Sequence, residues 1–270
     1  MKPPLLGFGW SRVHFELAST IPRVRNGGMK LPLRLVFPAV AFCLVASSVH
    51  AQNWMESYNR LLGKYATSGG VKYAEWKGNA ADMQALQGVV DAIAKENASG
   101  MEKKAQLAFY CNAYNAWILH EALEKYPTKS VKDALFTFFT SKRITVAGQQ
   151  TSFKAFEDNV IRKLGDSRIH FALNCASRSC PPLGRQAFTA GNLDGQFESL
   201  AKGYVNSDRG VRFNAANKTA ELSKIFDWYK DDFKGDGGPL AFVNKRRSTQ
   251  IPADAKITYQ DYDWGLNETK

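Results

Sequence analysis

Residues 101–127 read MEKKAQLAFYCNAYNAWILHEALEKYP and carry the strongest helix signal in the chain. Ser99-Gly100 precedes the run, good helix formers fill it, and Pro127 ends it. Apolar and aromatic residues fall on both faces of its middle, so the helix has no solvated side and should be largely buried. Two asparagines, Asn112 and Asn115, lie inside it. Asparagine is a poor helix-interior residue because its amide competes for the backbone. At i and i+3 the two share a face. An unpaired buried amide costs roughly 1–3 kcal/mol, so both need partners. Either they cap the backbone of a neighbouring loop from within the core, or they line a polar cleft and orient a ligand or a catalytic group. His120, near the exposed end of the helix, reads as a partly solvated side chain.

The rest of the chain has to cover this helix. Trp54, Tyr58, Leu61, Leu62 and Tyr65 recur at three- and four-residue spacing and predict a helix over 53–66, stopped by Ser68-Gly69-Gly70. Residues 71–76 read as extended or turn, and 79–97 as a helix with Met83, Leu86, Val90 and Ile93 on one face. Residues 144–153, with Gly148 near the centre, predict a hairpin, and 152–164 a helix with Ser152 as its cap. Seven mostly apolar residues, Arg168 to Asn174, predict a central strand. Helices follow over 192–205, 224–233 and 240–246, with a second hairpin over 211–222. Without regular strand–helix alternation, the order points to an α+β fold in which several helices pack on a mostly antiparallel sheet.

Upstream of this domain, the segment from Met29 has Lys30 and Arg34, then an apolar stretch from Leu35 to Ala46, then Val49-His50-Ala51. That is the layout of a secretory signal peptide over 29–51, which places residues 1–28 as a mis-assigned extension and 52–270 as a single domain. The apolar stretch falls short of the roughly 20 residues that span a bilayer, so no stable membrane anchor is expected after cleavage. The expected location is periplasmic or secreted. The whole chain carries 36 Lys+Arg against 25 Asp+Glu, a net charge of +11. Residues 1–51 hold six of the basic residues and one of the acidic ones, leaving 30 against 24, or +6, for the remainder. With no dense basic stripe, nucleic acid is not an expected partner. A small molecule, peptide or glycan of the cell envelope is.

The chemistry-bearing residues then number few. Past residue 51 the cysteines are Cys111, Cys175 and Cys180, and the histidines are His120 and His170. Cys175 and Cys180 stand in RIHFALNCASRSCPPL, residues 168–183, with Pro181 and Pro182 closing the loop. An exported chain permits a Cys175–Cys180 disulfide. On a straight strand His170 and Cys175 would lie roughly 16 Å apart on opposite faces, which excludes them as a dyad and leaves His120 as the base for a Cys175 nucleophile. His170 shares its strand face with Asn174, either as a satisfied core histidine or as part of a polar line. Cys111, well inside its helix, reads as a small buried hydrophobe. No metal site and no cofactor are expected: the only short cysteine spacing is C-x4-C, and no glycine-rich phosphate loop follows a strand.

FYCNAYNAWILHEAL, RIHFALNCASRSCPPL, KIFDWYKDDF and YDWGLN together resemble the family called domain of unknown function 547, over about residues 100–267. The resemblance implies functional weight on Asn112, Tyr114, Asn115, His170, Cys175, Ser179, Pro181 and Pro182. It implies none on Cys111, where the family pattern has a plain apolar residue. Two functions follow as expectations. One is a binding module with Asn112, Asn115, His170 and Asn174 lining a cleft and the Cys175–Cys180 bond shaping its rim. The other is a hydrolase or transferase acting on an amide or ester, with Cys175 as nucleophile, His120 as base and Asn112 or Asn115 as the orienting amide.

Overall fold

The structure, a computed structural model, describes residues 54–132, 139–141 and 143–270. The expected extension 1–28 and the expected signal segment 29–51 lie outside the described residues, all of which fall within the contact unit Phe42–Lys270. The predicted central helix is there as α4 (Lys103–Glu124), following α1 (54–65), α2 (Tyr73–Lys77) and α3 (Ala80–Lys95). Fourteen of the residues of α4 are buried, from Leu107 through Leu123. Asn79 caps α3 by accepting from the Asp82 N–H at 3.0 Å. Asp82 is itself buried and held by Arg60, Lys64 and Tyr65 of α1, which ties the first and third helices together.

The hairpin follows the predicted position, β1 (Ile144–Val146) pairing antiparallel with β2 (Gln149–Thr151). Ala147 and Gly148 both take positive φ, 49° and 76°, the backbone twist a two-residue hairpin turn needs. Their N–H groups donate to Ile93 and Ala94, so the turn satisfies carbonyls at the end of α3. Ser152 caps α5 (Phe153–Phe156) as predicted, accepting from Ala155 N at 3.2 Å. The helix then loosens into a π turn, Glu157–Ile161, and tightens into a 3-10 turn, Arg162–Leu164.

The predicted central strand is instead a single helical turn, α6 (Ile169–Ala172). Asp166 starts it, its carboxylate accepting from Arg168 N at 2.9 Å and its carbonyl from Ile169 N at 3.2 Å. A short apolar run cannot by itself distinguish strand from buried helix, and here tertiary demand decided. Ile169 and Ala172 face the main core around α4, whereas Phe171 faces a second apolar cluster. There it packs among Tyr204, Phe226, Phe233 and Phe242, 5.2 Å from the Phe242 ring.

That second cluster is built by α7 (Leu193–Val205), α8 (Ile225–Trp228), a 3-10 turn (Lys230–Asp236) and α9 (Pro239–Arg246). The sheet β3 (Val211–Asn214), β4 (Thr219–Leu222), β5 (Lys256–Tyr259) adds Val211, Ala220 and Leu222 to it. The α+β class is borne out, and the single mostly antiparallel sheet gives way to two small ones, with β5 running parallel to β4. Among the described residues no helix is long and apolar enough to cross a membrane.

Candidate thiol site

Both asparagines of α4 are spent on main chain. Asn112, 1% exposed, donates to Phe188 O at 2.8 Å and accepts from Phe188 N at 2.9 Å, imitating a strand partner for the loop after the prolines. Asn115, 3% exposed, donates to Ala172 O and accepts from Asn174 N, both at 2.8 Å, and so fixes the exit of α6. Asn174 continues the chain of amides: it donates to Pro181 O at 2.8 Å and accepts from Ala176 N at 2.9 Å. Of the two roles open to these amides, the structure has them capping loop backbone. They support the cysteine loop from beneath.

That support forces the backbone at Cys175 into a tight reversal. Ala176, fully buried, has φ +60°, a left-handed conformation unusual for a residue with a Cβ. The C-terminal tail holds the far side of the loop. Asn267 N donates to Ala176 O at 2.9 Å, Arg178 N to Gly265 O at 2.8 Å, and Asp263 N to Ser179 Oγ at 2.8 Å. Val71 N and the Tyr73 hydroxyl in turn bond to Asn267. The tail passes so close to Gly70 that a Cβ there would sit 1.9 Å from Asn267 O.

This strap delivers Tyr262 to the thiol. Cys175 is half-buried, its Sγ 3.0 Å from Ser177 Oγ and 3.2 Å from the Tyr262 hydroxyl, with those two oxygens 3.1 Å apart. Burial works against ionisation, but hydrogen bonds from Cys180, Ser177 and Tyr262 outweigh it and bring the thiol down from 9.0 to about 7. Cys180 goes the other way: burial, and then the hydrogen bond with Cys175 and its charge, push its thiol well up. Cys175 N donates to Cys180 Sγ at 2.9 Å. The cysteines are free, so the Cys175–Cys180 bond expected from export is not formed here. Cys111 is a buried thiol pushed up by burial, in keeping with a packing role.

Beside the thiol lies an aromatic shelf. The Tyr262 ring is 4.5 Å from Trp264 and 4.8 Å from Trp228, and Trp228, 45% exposed, is one of the large hydrophobic side chains on the surface. Tyr262 and Trp228 stand in the motifs YDWGLN and KIFDWYKDDF, to which the sequence alone attaches no site role. Position offered no signal, since 87 residues separate Tyr262 from Cys175.

The two histidines stand elsewhere. His170 Nε2 meets Asp232 Oδ2 at 2.8 Å, its ring stacks on Tyr229 at 3.9 Å, and Asp232 also takes a two-point contact from Arg162 at 2.7 and 2.8 Å. Burial would raise the Asp232 carboxyl, but the bonds from His170 and Arg162 hold it well below the usual range. The strand argument against a His170–Cys175 dyad fails with the strand, yet His170 is committed to Asp232. A cavity of about 610 Å³ reaches Asp232, with Arg168, Asp194 and Lys104 also among its lining and none of His170, Asn112, Asn115 or Cys175. His120 hydrogen-bonds Gln87 of α3 at 2.8 Å, and among the described residues the polar contacts of Cys175 Sγ are with Ser177 and Tyr262.

Fold and site together define an α+β domain in which a half-buried, hydrogen-bonded cysteine is completed by the chain's own C-terminal tail. A family model described as "Protein of unknown function, DUF547" matches residues 98–205, which bears out the resemblance over that segment. The match takes in α4, α6 and the cysteine loop, and stops short of Tyr229, Asp232 and the tail. No curated protein and no solved structure matches the chain.

Proposed function

We propose that the protein is a thiol-dependent hydrolase or transferase acting on an amide or ester, with Cys175 as its nucleophile. The observation that carries this reading is the triangle of Cys175 Sγ, Ser177 Oγ and the Tyr262 hydroxyl, which favours the thiolate in a half-open position. The thiolate, not the thiol, is the attacking species. It adds to the substrate carbonyl carbon, and the leaving alkoxide or amine takes a proton from the Tyr262–Ser177 pair as the acyl group passes to sulfur. Water or an acceptor hydroxyl or amine then takes the acyl group, its proton returning to the Tyr262–Ser177 pair and the Cys175 thiolate being released. Trp228, Tyr262 and Trp264 supply the surface on which the substrate rests. The signal-like segment 29–51 supports a place of action outside the cytoplasm, with a small molecule, peptide or glycan of the envelope as substrate.

The binding-module reading draws less support. Its cleft needs Asn112, Asn115 and Asn174 free to meet a ligand, and their amides are bonded to the protein's own backbone.

The test uses p-nitrophenyl acetate with the full chain. An initial burst of nitrophenolate and an acetyl group on Cys175 by mass spectrometry are expected, both lost in Cys175→Ala. Equal turnover by Cys175→Ala would overturn the reading.

A further inference from the structure

We propose that Cys175 and Cys180 form a reversible two-thiol exchange site, in which Cys175 attacks a small disulfide and Cys180 resolves the product. This goes beyond acyl transfer and rests on that reading only for the reactivity of Cys175. The geometry is that of a working pair. Cys175 is half-buried, Cys180 is 4% exposed, and the Cys175 N–H points at the Cys180 sulfur at 2.9 Å. Hydrogen bonding lowers the Cys175 thiol against its burial, whereas burial raises the Cys180 thiol. One thiol thus stands nearer the surface, and the other is buried beside it, with its sulfur 3.8 Å from Leu173 O.

The loop between them does not need a covalent bond to keep its shape. Asn115, Asn174 and Asn267 hold it at Asn174 and Ala176, and tail carbonyls hold Arg178 N and Ser179 N. A four-residue spacer also gains little chain-entropy stabilisation from closure. A bond that contributes little to the fold can open and close without unfolding it.

The exchange balances as follows. The Cys175 thiolate attacks one sulfur of RS–SR, forming Cys175–S–S–R and expelling RS⁻. Cys180 gives its proton to that RS⁻, and its sulfur attacks the Cys175 sulfur and forms the intramolecular bond. The second RS⁻ leaves and takes a proton from solvent. The protein pair loses two electrons, and the disulfide gains them as two thiols.

The experiment incubates the full chain with oxidised glutathione, quenches with acid, alkylates with N-ethylmaleimide and maps the peptides by mass. In the wild type the peptide holding both cysteines is expected two hydrogens lighter, with no lasting glutathione. Cys180→Ser should instead accumulate glutathione on Cys175, and Cys175→Ser should take up none. A wild-type chain that keeps glutathione on Cys175 while Cys180 alkylates overturns the proposal, and it does so whether or not the variants fold. So does a wild type that stays reduced while Cys175 alkylates quickly near pH 7, an outcome that leaves acyl transfer standing. A Cys175 inert to both reagents removes both.

Discussion

Asn115 shows how much one side chain can carry. Its amide satisfies Ala172 O and Asn174 N, two buried main-chain groups that lie on either side of Leu173. Asn115→Ala removes both partners at once. Leaving a buried donor or acceptor unsatisfied costs about 1–3 kcal/mol each, so a loss of roughly 2–6 kcal/mol is expected, read as a lower denaturant midpoint at unchanged slope. Asn115→Leu, of similar size, should do no better, because the loss is of hydrogen bonds and not of volume. Tyr262→Phe acts on the thiol instead. It deletes one of the hydroxyls that favour the Cys175 thiolate, so the alkylation midpoint should rise by about one pH unit, and labelling at pH 7 should fall several-fold. An unchanged midpoint would show that Ser177 and Cys180 suffice.

At the scale of elements, the tail from Tyr262 to Asn267 is the piece that turns a cysteine loop into a site. Gly70→Ala tests it from a distance of structure and not of chemistry. A Cβ at Gly70 would strike Asn267 O, forcing the strap away from Val71 and loosening its hold on Ala176. A lower melting temperature and slower Cys175 labelling are expected together. Retained labelling in a destabilised variant would mean that Tyr262 keeps its place without the strap.

Elements with strong local signals were legible in the sequence. α4 announced itself by its length and stop at Pro127, and the Ser152 cap and the Ala147–Gly148 turn by residue type. Residues 168–174 did not, because a short, mostly apolar run suits a strand as well as a helical turn wedged between two cores. The tail did not either. Its hydrogen bonds reach back to Val71 and to Ala176, contacts that no local pattern encodes. The candidate site was half legible for the same reason. Cys175 stood out by its loop, whereas Tyr262 became relevant only through tertiary structure. The Asn112–Asn115 spacing left two roles open, loop capping and cleft lining, and tertiary structure put both amides on loop backbone.

For the whole molecule, charge pairs tie distant segments together. Asp82 joins α1 to α3, and Asp232 joins the 3-10 turn at 230–236 to His170 and Arg162. Burial would raise both carboxyls, but their hydrogen-bond partners hold them below the usual range. A carboxyl depressed in the folded state contributes stability that is full above its unfolded value near 4 and is lost as pH falls below it. The chain should therefore lose stability as pH drops below about 4, and Asp82→Asn should flatten that slope while lowering stability at pH 7. A melting temperature that holds steady from pH 5 to pH 2.5 would contradict this.

The most direct measurement is the pH dependence of iodoacetamide labelling at Cys175 in the intact chain, followed by peptide mass spectrometry. Burial alone would leave the thiol silent until well above pH 9, whereas the Ser177, Tyr262 and Cys180 bonds bring it to about 7. The expected result is a labelling rate at half its plateau near pH 7, with Cys111 and Cys180 unlabelled over the same range. A Cys175 midpoint at or above the ordinary thiol value, about 8.5, would contradict a thiolate held ready by the tail.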